Sequence, residues 1–329
     1  MDDIIAEFYG VVVPPETKVL LPESLPGIYR LTAMEHNPDG NGVTVCTAQL
    51  YHDKASLRVT WECRQPDMRL YAGALVSPRW LGRSTCSDQG AVRISRLVLL
   101  EVPQAGATLF DTVPPDWVRD RGLVERARAL VDALPRHMAF LFNAMFWDGR
   151  RFMRFVAGPS SLNGHHNGRN GNLLHTVEVA ETALTLAINR NGVCRDVLLM
   201  AALLHDAGKA DEYSFNYRRG VFEISDRGAL VGHKLTVLEW IAAAMAKYRI
   251  LMPETHYLGL LHALTSAKGA PEWVGVRESR SLEAMLLSTA DRLSGHQYLV
   301  DQLAPEQDGF GKYHPHLRGR PYVVGNGLA

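Results

Sequence analysis

Polar and apolar positions change rhythm about a third of the way along the chain. Between residues 27 and 102 they alternate with a period of two. The runs at 42–52 (GVTVCTAQLYH) and 56–63 (SLRVTWEC) are rich in β-branched residues and are joined by the HDKA turn at 52–55. An apolar-aromatic run follows at 70–80, and AVRISRLVLLEV closes the set at 91–102. Such alternation sends successive side chains to opposite faces of a strand. After PQAGAT and a VPP turn the period becomes helical, in LVERARALVDAL (123–134) and HMAFLFNAMFW (137–147). Further helices are expected over about 173–189, 195–205, 230–248, 256–265 and 281–300, with SFNYRRGVFEI (214–224) as a short hairpin between them.

Five short strands followed by helices predict an α+β chain of two domains. Residues 1–105 fit a small β-barrel, with a five-stranded Greek-key barrel of the OB type as the leading candidate and nucleic acid as its ligand class. Residues 106–118 are expected to be a linker, and residues 119–329 an all-α domain ending in a Gly-, Pro- and aromatic-rich stretch. The length of 329 residues and a hydrophobic content of 47% allow two cores.

Charge excludes little. Lys plus Arg and Asp plus Glu balance at 35 each, so there is no global basic footprint for nucleic acid, although a local basic groove is compatible with that balance. Cys46, Cys63, Cys86 and Cys194 form no CxxC pair and read as reduced thiols. The segment MDDIIAEFYG lacks a signal-peptide pattern, and the longest apolar run, 197–204, is too short for a bilayer. The expectation is a cytoplasmic protein with no membrane partner.

The candidate chemistry lies in the helical part. His175 sits on an apolar helix, His205-Asp206 ends the next one in LLMAALLHDAGKADEY (198–213), and Asp291 lies in LLSTADRLSG (286–295). Two imidazoles and two carboxylates on separate helices suit one divalent cation in a mixed nitrogen and oxygen shell. Mn²⁺ is the first choice, and Mg²⁺, Fe²⁺, Co²⁺ and Ni²⁺ also suit. A second cation would share Asp206 and add His233 and His262, giving one or two cations per chain. Paired cations activate water and neutralise a phosphodiester. With 13 histidines in the chain, a single His-Asp dipeptide arises by chance, so the argument rests on the ordered set. Lys209, just past the pair, is either a phosphate-neutralising cation or a solvated lysine favoured by a helix C-terminus.

These motifs resemble the HD superfamily of metal-dependent phosphohydrolases. HHNGRNGNLLH (165–175), LLHDAGK (203–209) and GALVGH (228–233) are more narrowly similar to YhaM-type 3′–5′ exoribonucleases, which join an OB domain to an HD domain, and to the HD module of MobH-type conjugative relaxases. The stretch DGFGKYHPHLRGRPY (308–322) also looks like a segment found in YhaM-type chains. The resemblance implies Asp206 and Lys209 as catalytic residues, and His165, His166 and Arg169 as substrate contacts. It breaks after His262, where LLHALTSAKG has Ala267 and Lys268 in place of the usual histidines. The second cation site is then in question, and Lys268 becomes a candidate substrate contact.

The implied function is a divalent-metal phosphodiesterase, a 3′–5′ exonuclease on single-stranded RNA or DNA. The alternatives are a small-molecule nucleotide phosphohydrolase and a non-catalytic DNA- or partner-binding module of a mobile element. Oligomeric state stays open. Strand-gripping candidates in the barrel are Tyr51, Trp61, Tyr71 and, foremost, Trp80 beside Arg79. The clusters Arg150-Arg151-Arg154 and Arg218-Arg219, with Arg318 and Arg320, are candidates for a basic path, each weighed against an ordinary solvated face.

Overall fold

Five strands close into a barrel in the order β1-β2-β3-β5-β4. They are β1 (Tyr29–Pro38), β2 (Thr44–Tyr51), β3 (Leu57–Cys63), β4 (Leu75–Trp80) and β5 (Val92–Leu99). All pairings are antiparallel except β3 with β5, and β4 returns to pair with β1. This is the OB-like topology that the alternation predicts. The structure is a computed structural model and describes residues 24–39, 41–81, 90–267, 269, 276–305 and 308–324.

Inward positions keep the period of two. Leu57, Val59 and Trp61 of β3 meet Cys46, Ala48 and Leu50 of β2 in one buried cluster. The Cys46 and Cys63 sulfurs lie 3.5 Å apart as free thiols, and Cys86 lies outside the described residues. The predicted strand at 70–80 starts late, at Leu75, because a turn occupies its first residues, with Ala74 N–H donating to Tyr71 O at 3.0 Å.

The chain divides into two compact units, residues 1–128 with 142–153, and residues 129–141 with 154–329. Three helices cross that division: α1 (Arg121–Asp132), α2 (Arg136–Phe146) and α3 (Gly149–Ala157). Residues 106–118, the expected linker, contain ordered structure. Leu109–Thr112 form a 3-10 turn whose Leu109 and Phe110 are buried, and the Phe110 ring meets Phe152 at 5.4 Å. Arg30 of β1 fastens this turn to the barrel. Its guanidinium donates to Gly73 O at 2.9 Å and Thr112 Oγ1 at 2.8 Å, and lies 5.2 Å from the Trp117 ring. Burial pushes its pKa down to about 9, which leaves the cation intact at neutral pH.

The second unit is built around α5 (Arg195–Leu204), in which every residue from Val197 to Leu204 is buried. A helix apolar on all sides must be covered on all sides. Helices α4 (Gly171–Leu186), α9 (Glu254–Thr265) and α10 (Leu282–Leu303) pack against it. The short α6 (Lys209–Glu212) leads into a hairpin of β6 (Tyr213–Asn216) and β7 (Val221–Ile224), then α7 (Asp226–Leu230) and α8 (Gly232–Tyr248). The hairpin lies where the sequence predicts one. A second ribbon, β8 (Gly309–Phe310) with β9 (Tyr322–Val323), was hidden by the Gly- and Pro-rich composition around it. No helix among the described residues is long and apolar enough to cross a membrane.

Candidate metal centre

The C-terminus of α5 delivers His205 and Asp206 out of the core to a point flanked by α4 and α10. His175 on α4 lies there with its Nε2 3.3 Å from His205 Nε2, 3.4 Å from Asp206 Oδ2 and 3.1 Å from Asp291 Oδ1. His205 Nε2 is 3.6 Å from Asp206 Oδ2 and 4.0 Å from Asp291 Oδ1. Bonds of about 2.1 Å at right angles put neighbouring ligand atoms about 3.0 Å apart. The His175, His205 and Asp206 donors, 3.3 to 3.6 Å apart, are near that spacing, and Asp291 Oδ1 approaches the set from the His175 side. His175, His205 and Asp206 also form the one group among the described residues whose ligating atoms all lie within 4.8 Å of one another.

Hydrogen bonding fixes which imidazole nitrogen faces the centre. His205 Nδ1 lies 2.7 Å from Ala202 O, which only accepts, so Nδ1 carries the proton. Ser294 Oγ donates to Glu178 Oε2 at 2.7 Å, so it accepts from His175 Nδ1 at 3.0 Å. His233 Nδ1 lies 2.5 Å from Glu212 Oε2, leaving its Nε2 3.5 Å from Asp206 Oδ1. All three histidines thus turn Nε2 toward Asp206 while Nδ1 is engaged by an outer partner, the arrangement by which outer partners orient imidazoles for metal. Imidazole nitrogens and carboxylate oxygens gathered at one point are a mixed donor set that fits a divalent ion.

Charge follows geometry. Burial alone would raise the Asp206 pKa, but Lys209, His205, His175 and His233 outweigh it and hold the carboxyl well below the usual range. Asp291 is likewise lowered against its burial by the bond to His175 and the charge of His205. Burial lowers His205, favouring the neutral ligand form. The Asp291 side chain is 45% exposed while His175 is fully buried, so the Asp291 side is the open one.

Residues 172–295 match the HD domain family. This chain carries an HD domain. It is 28% identical over 148 residues to the 3′-5′ exoribonuclease YhaM of Bacillus licheniformis, an alignment covering 45% of this chain and 46% of that one. The protein of the same name from Bacillus velezensis is 25% identical over 172 residues, 52% of this chain and 50% of that one. That from Listeria monocytogenes is 27% identical over 149 residues, covering 45% and 46%. The chain spans about half the length of these curated relatives in the match. No solved structure matches it.

Other predicted residues fall at varied distances from the HD centre. Lys209 is paired with Asp206 Oδ2 at 2.5 Å and its side chain is only 10% exposed, which removes the solvated-lysine alternative. Gly208 before it is obligatory, since a Cβ there would lie 2.1 Å from His233 O. His165 stacks near His175 at 4.9 Å between ring centres, and burial lowers its pKa to about 4. A Cβ on Gly295 of α10 would come within 3.2 Å of that ring. His166 bonds Glu178 at 3.1 Å and packs on Tyr298. Arg169 is exposed on the same loop.

His262 is not brought to the centre by any contact of its ring. Its Nε2 accepts the Arg280 N–H at 2.9 Å, because the apolar face of α9 turns Leu260 and Leu264 into the core and His262 away from it. Lys268 lies outside the described residues. In the barrel, Arg79 is exposed and Trp80 is partly buried against the core. The other aromatic candidates are spoken for: Trp61 is in the core, Arg121 covers the Tyr51 ring at 5.9 Å, and Arg150 covers Tyr71 at 4.7 Å. Arg154 is committed too, bonding Ala210 O and Asp211. Sequence reasoning missed Ser294, Glu178 and Glu212. Ser294 follows Asp291 by three residues and Glu178 follows His175 by three, and that helical spacing was the available signal.

Proposed function

We propose that this chain is a divalent-metal-dependent phosphodiesterase that trims single-stranded RNA or DNA from its 3′ end. The observation that carries this reading is the convergence of three histidine Nε2 atoms on Asp206, with Asp291 beside them on the open side. His175, His205, Asp206 and Asp291 would hold one cation, and Asp206 Oδ1 with His233 would offer ligands to a second. Mn²⁺ suits this nitrogen and oxygen shell. When bound, such ions activate water and neutralise phosphoryl charge. Ser294 and Glu212 keep the Nδ1 protons of His175 and His233 in place, so the ring atoms facing substrate need no rearrangement. Lys209 holds Asp206 and would meet a phosphoryl oxygen entering from the Asp291 side. The YhaM proteins bear the name 3′-5′ exoribonuclease, which supports the strand polarity.

Purified chain incubated with Mn²⁺ and an end-labelled single strand should yield a ladder shortening from the 3′ end. Absence of cleavage of any strand would refute the reading. A small-nucleotide phosphohydrolase is the second reading, favoured by the internal commitments of Tyr51, Trp61 and Tyr71. Turnover of nucleotides without turnover of strands would select it.

A further inference from the structure

The segment 308–324 serves no purpose in the centre as described, yet it has an unusual surface. Phe310, Tyr313 and Tyr322 are 59%, 64% and 60% exposed. Its charged side chains are Lys312, Arg318 and Arg320 against Asp308 alone, three cations to one anion. Apolar rings left in water at this density call for a partner, and the cations around them say that it is an anion.

The segment is held in shape. Lys312 N–H donates to Leu303 O at the end of α10 at 3.1 Å, Gly311 N–H to Pro321 O at 2.7 Å and His314 N–H to Gly319 O at 3.0 Å. Arg320 braces it from within, its Nε donating to Gly311 O at 2.7 Å and its guanidinium lying 5.6 Å from the Phe310 ring. Phe310 and Tyr322 meet edge to face at 4.8 Å. A surface already ordered loses little freedom when it binds.

Its position joins it to the metal centre. A Cβ on Gly164 would lie 3.8 Å from His316 Cε1. The next residue in the chain is His165, whose ring is 4.9 Å from that of His175. One loop therefore separates the segment from the first candidate ligand. The barrel offers far less, because three of its four candidate aromatics are committed internally.

We propose that residues 308–324 are a single-strand contact surface beside the HD centre, in which Tyr313 and Tyr322 stack on bases and Lys312 and Arg318 meet phosphates. This rests on the strand-processing reading above. Aromatic rings with interleaved cations are the general means of holding a flexible strand without sequence preference.

The test is fluorescence anisotropy of the full chain with a labelled, phosphorothioate-linked single strand of about ten nucleotides, within the footprint usual for such sites. A Lys312→Ala/Tyr313→Ala double variant should bind about ten-fold more weakly or worse, the scale of losing one stacked base. Its dependence of log affinity on log salt should be shallower by about one unit for the lost phosphate contact. Tyr313→Phe, which keeps the ring, should bind like the parent. Equal affinity and salt slope in parent and double variant would overturn the proposal. So would a parent dimer that the double variant splits while strand affinity stays the same, which would assign the surface to a second copy of the chain. If the parent cleaves strands and the double variant binds them undiminished, only this inference fails. If the parent neither binds nor cleaves strands, the strand-processing reading fails with it.

Discussion

Replacing Ser294 with alanine should weaken metal binding without touching any proposed ligand. Ser294 Oγ accepts the His175 Nδ1 proton at 3.0 Å and donates to Glu178 at 2.7 Å. His175 is fully buried, so removing the hydroxyl takes away the acceptor that its Nδ1 has in the fold. An unsatisfied buried donor costs about 1–3 kcal/mol. Loss of an outer partner of a metal-ligating histidine typically costs about 10–100-fold in affinity, or about 1.4–2.7 kcal/mol. The two scales agree. A further route to weakening is a tautomer switch, in which an Nε2 proton would face Asp291 and compete with the cation. Calorimetric titration of Mn²⁺ into chelator-treated parent, Ser294→Ala and Ser294→Thr proteins measures the effect. Ser294→Ala should bind at least ten-fold more weakly, and Ser294→Thr, which retains the hydroxyl, should restore most of the loss. Parent-like affinity in Ser294→Ala would refute the tautomer argument.

Two other perturbations follow from the geometry. Gly208→Ala should destabilise the fold by about 1–3 kcal/mol in urea unfolding, since the new methyl meets backbone at His233 rather than a side chain that can give way; an unchanged midpoint would contradict the close approach. For pH, burial lowers His165 from its ordinary 6.5 to about 4 in the fold, so the unfolded chain takes up that proton first. The stability of chelator-treated protein should therefore be complete above pH 6.5 and decline as pH falls toward about 4, and His165→Gln should decline less steeply across that window in a thermal scan. Parallel curves for the two proteins would show that His165 does not contribute.

Much of this architecture is legible in the amino-acid pattern, and the parts that are not share a cause. Period-two alternation reveals β2, β3 and β5, but Trp61, offered as a strand-gripping candidate, turns inward with Leu57 and Val59, whose parity it shares. The helix α3 is masked because GRRFMRFVA reads as an arginine cluster, although Phe152, Phe155 and Val156 recur at helical spacing and are buried. His175 and Asp291 stand out as polar residues within helices, and His205-Asp206 as the pair that closes an apolar one. Ser294, Glu178 and Glu212 do not, since polar residues on a helix look alike whether they face water or brace a ligand. His262 shows the opposite limit. A histidine in an apolar helix has the right type, but only packing against α5 decides that its ring turns to Arg280.

The most direct measurement is a count of divalent metal per chain, by elemental analysis of protein purified without chelator, in the parent and in His205→Ala and Asp206→Ala. The account predicts bound metal in the parent and its loss from both folded variants. A parent that binds no divalent cation, or undiminished metal in the two variants, would contradict it.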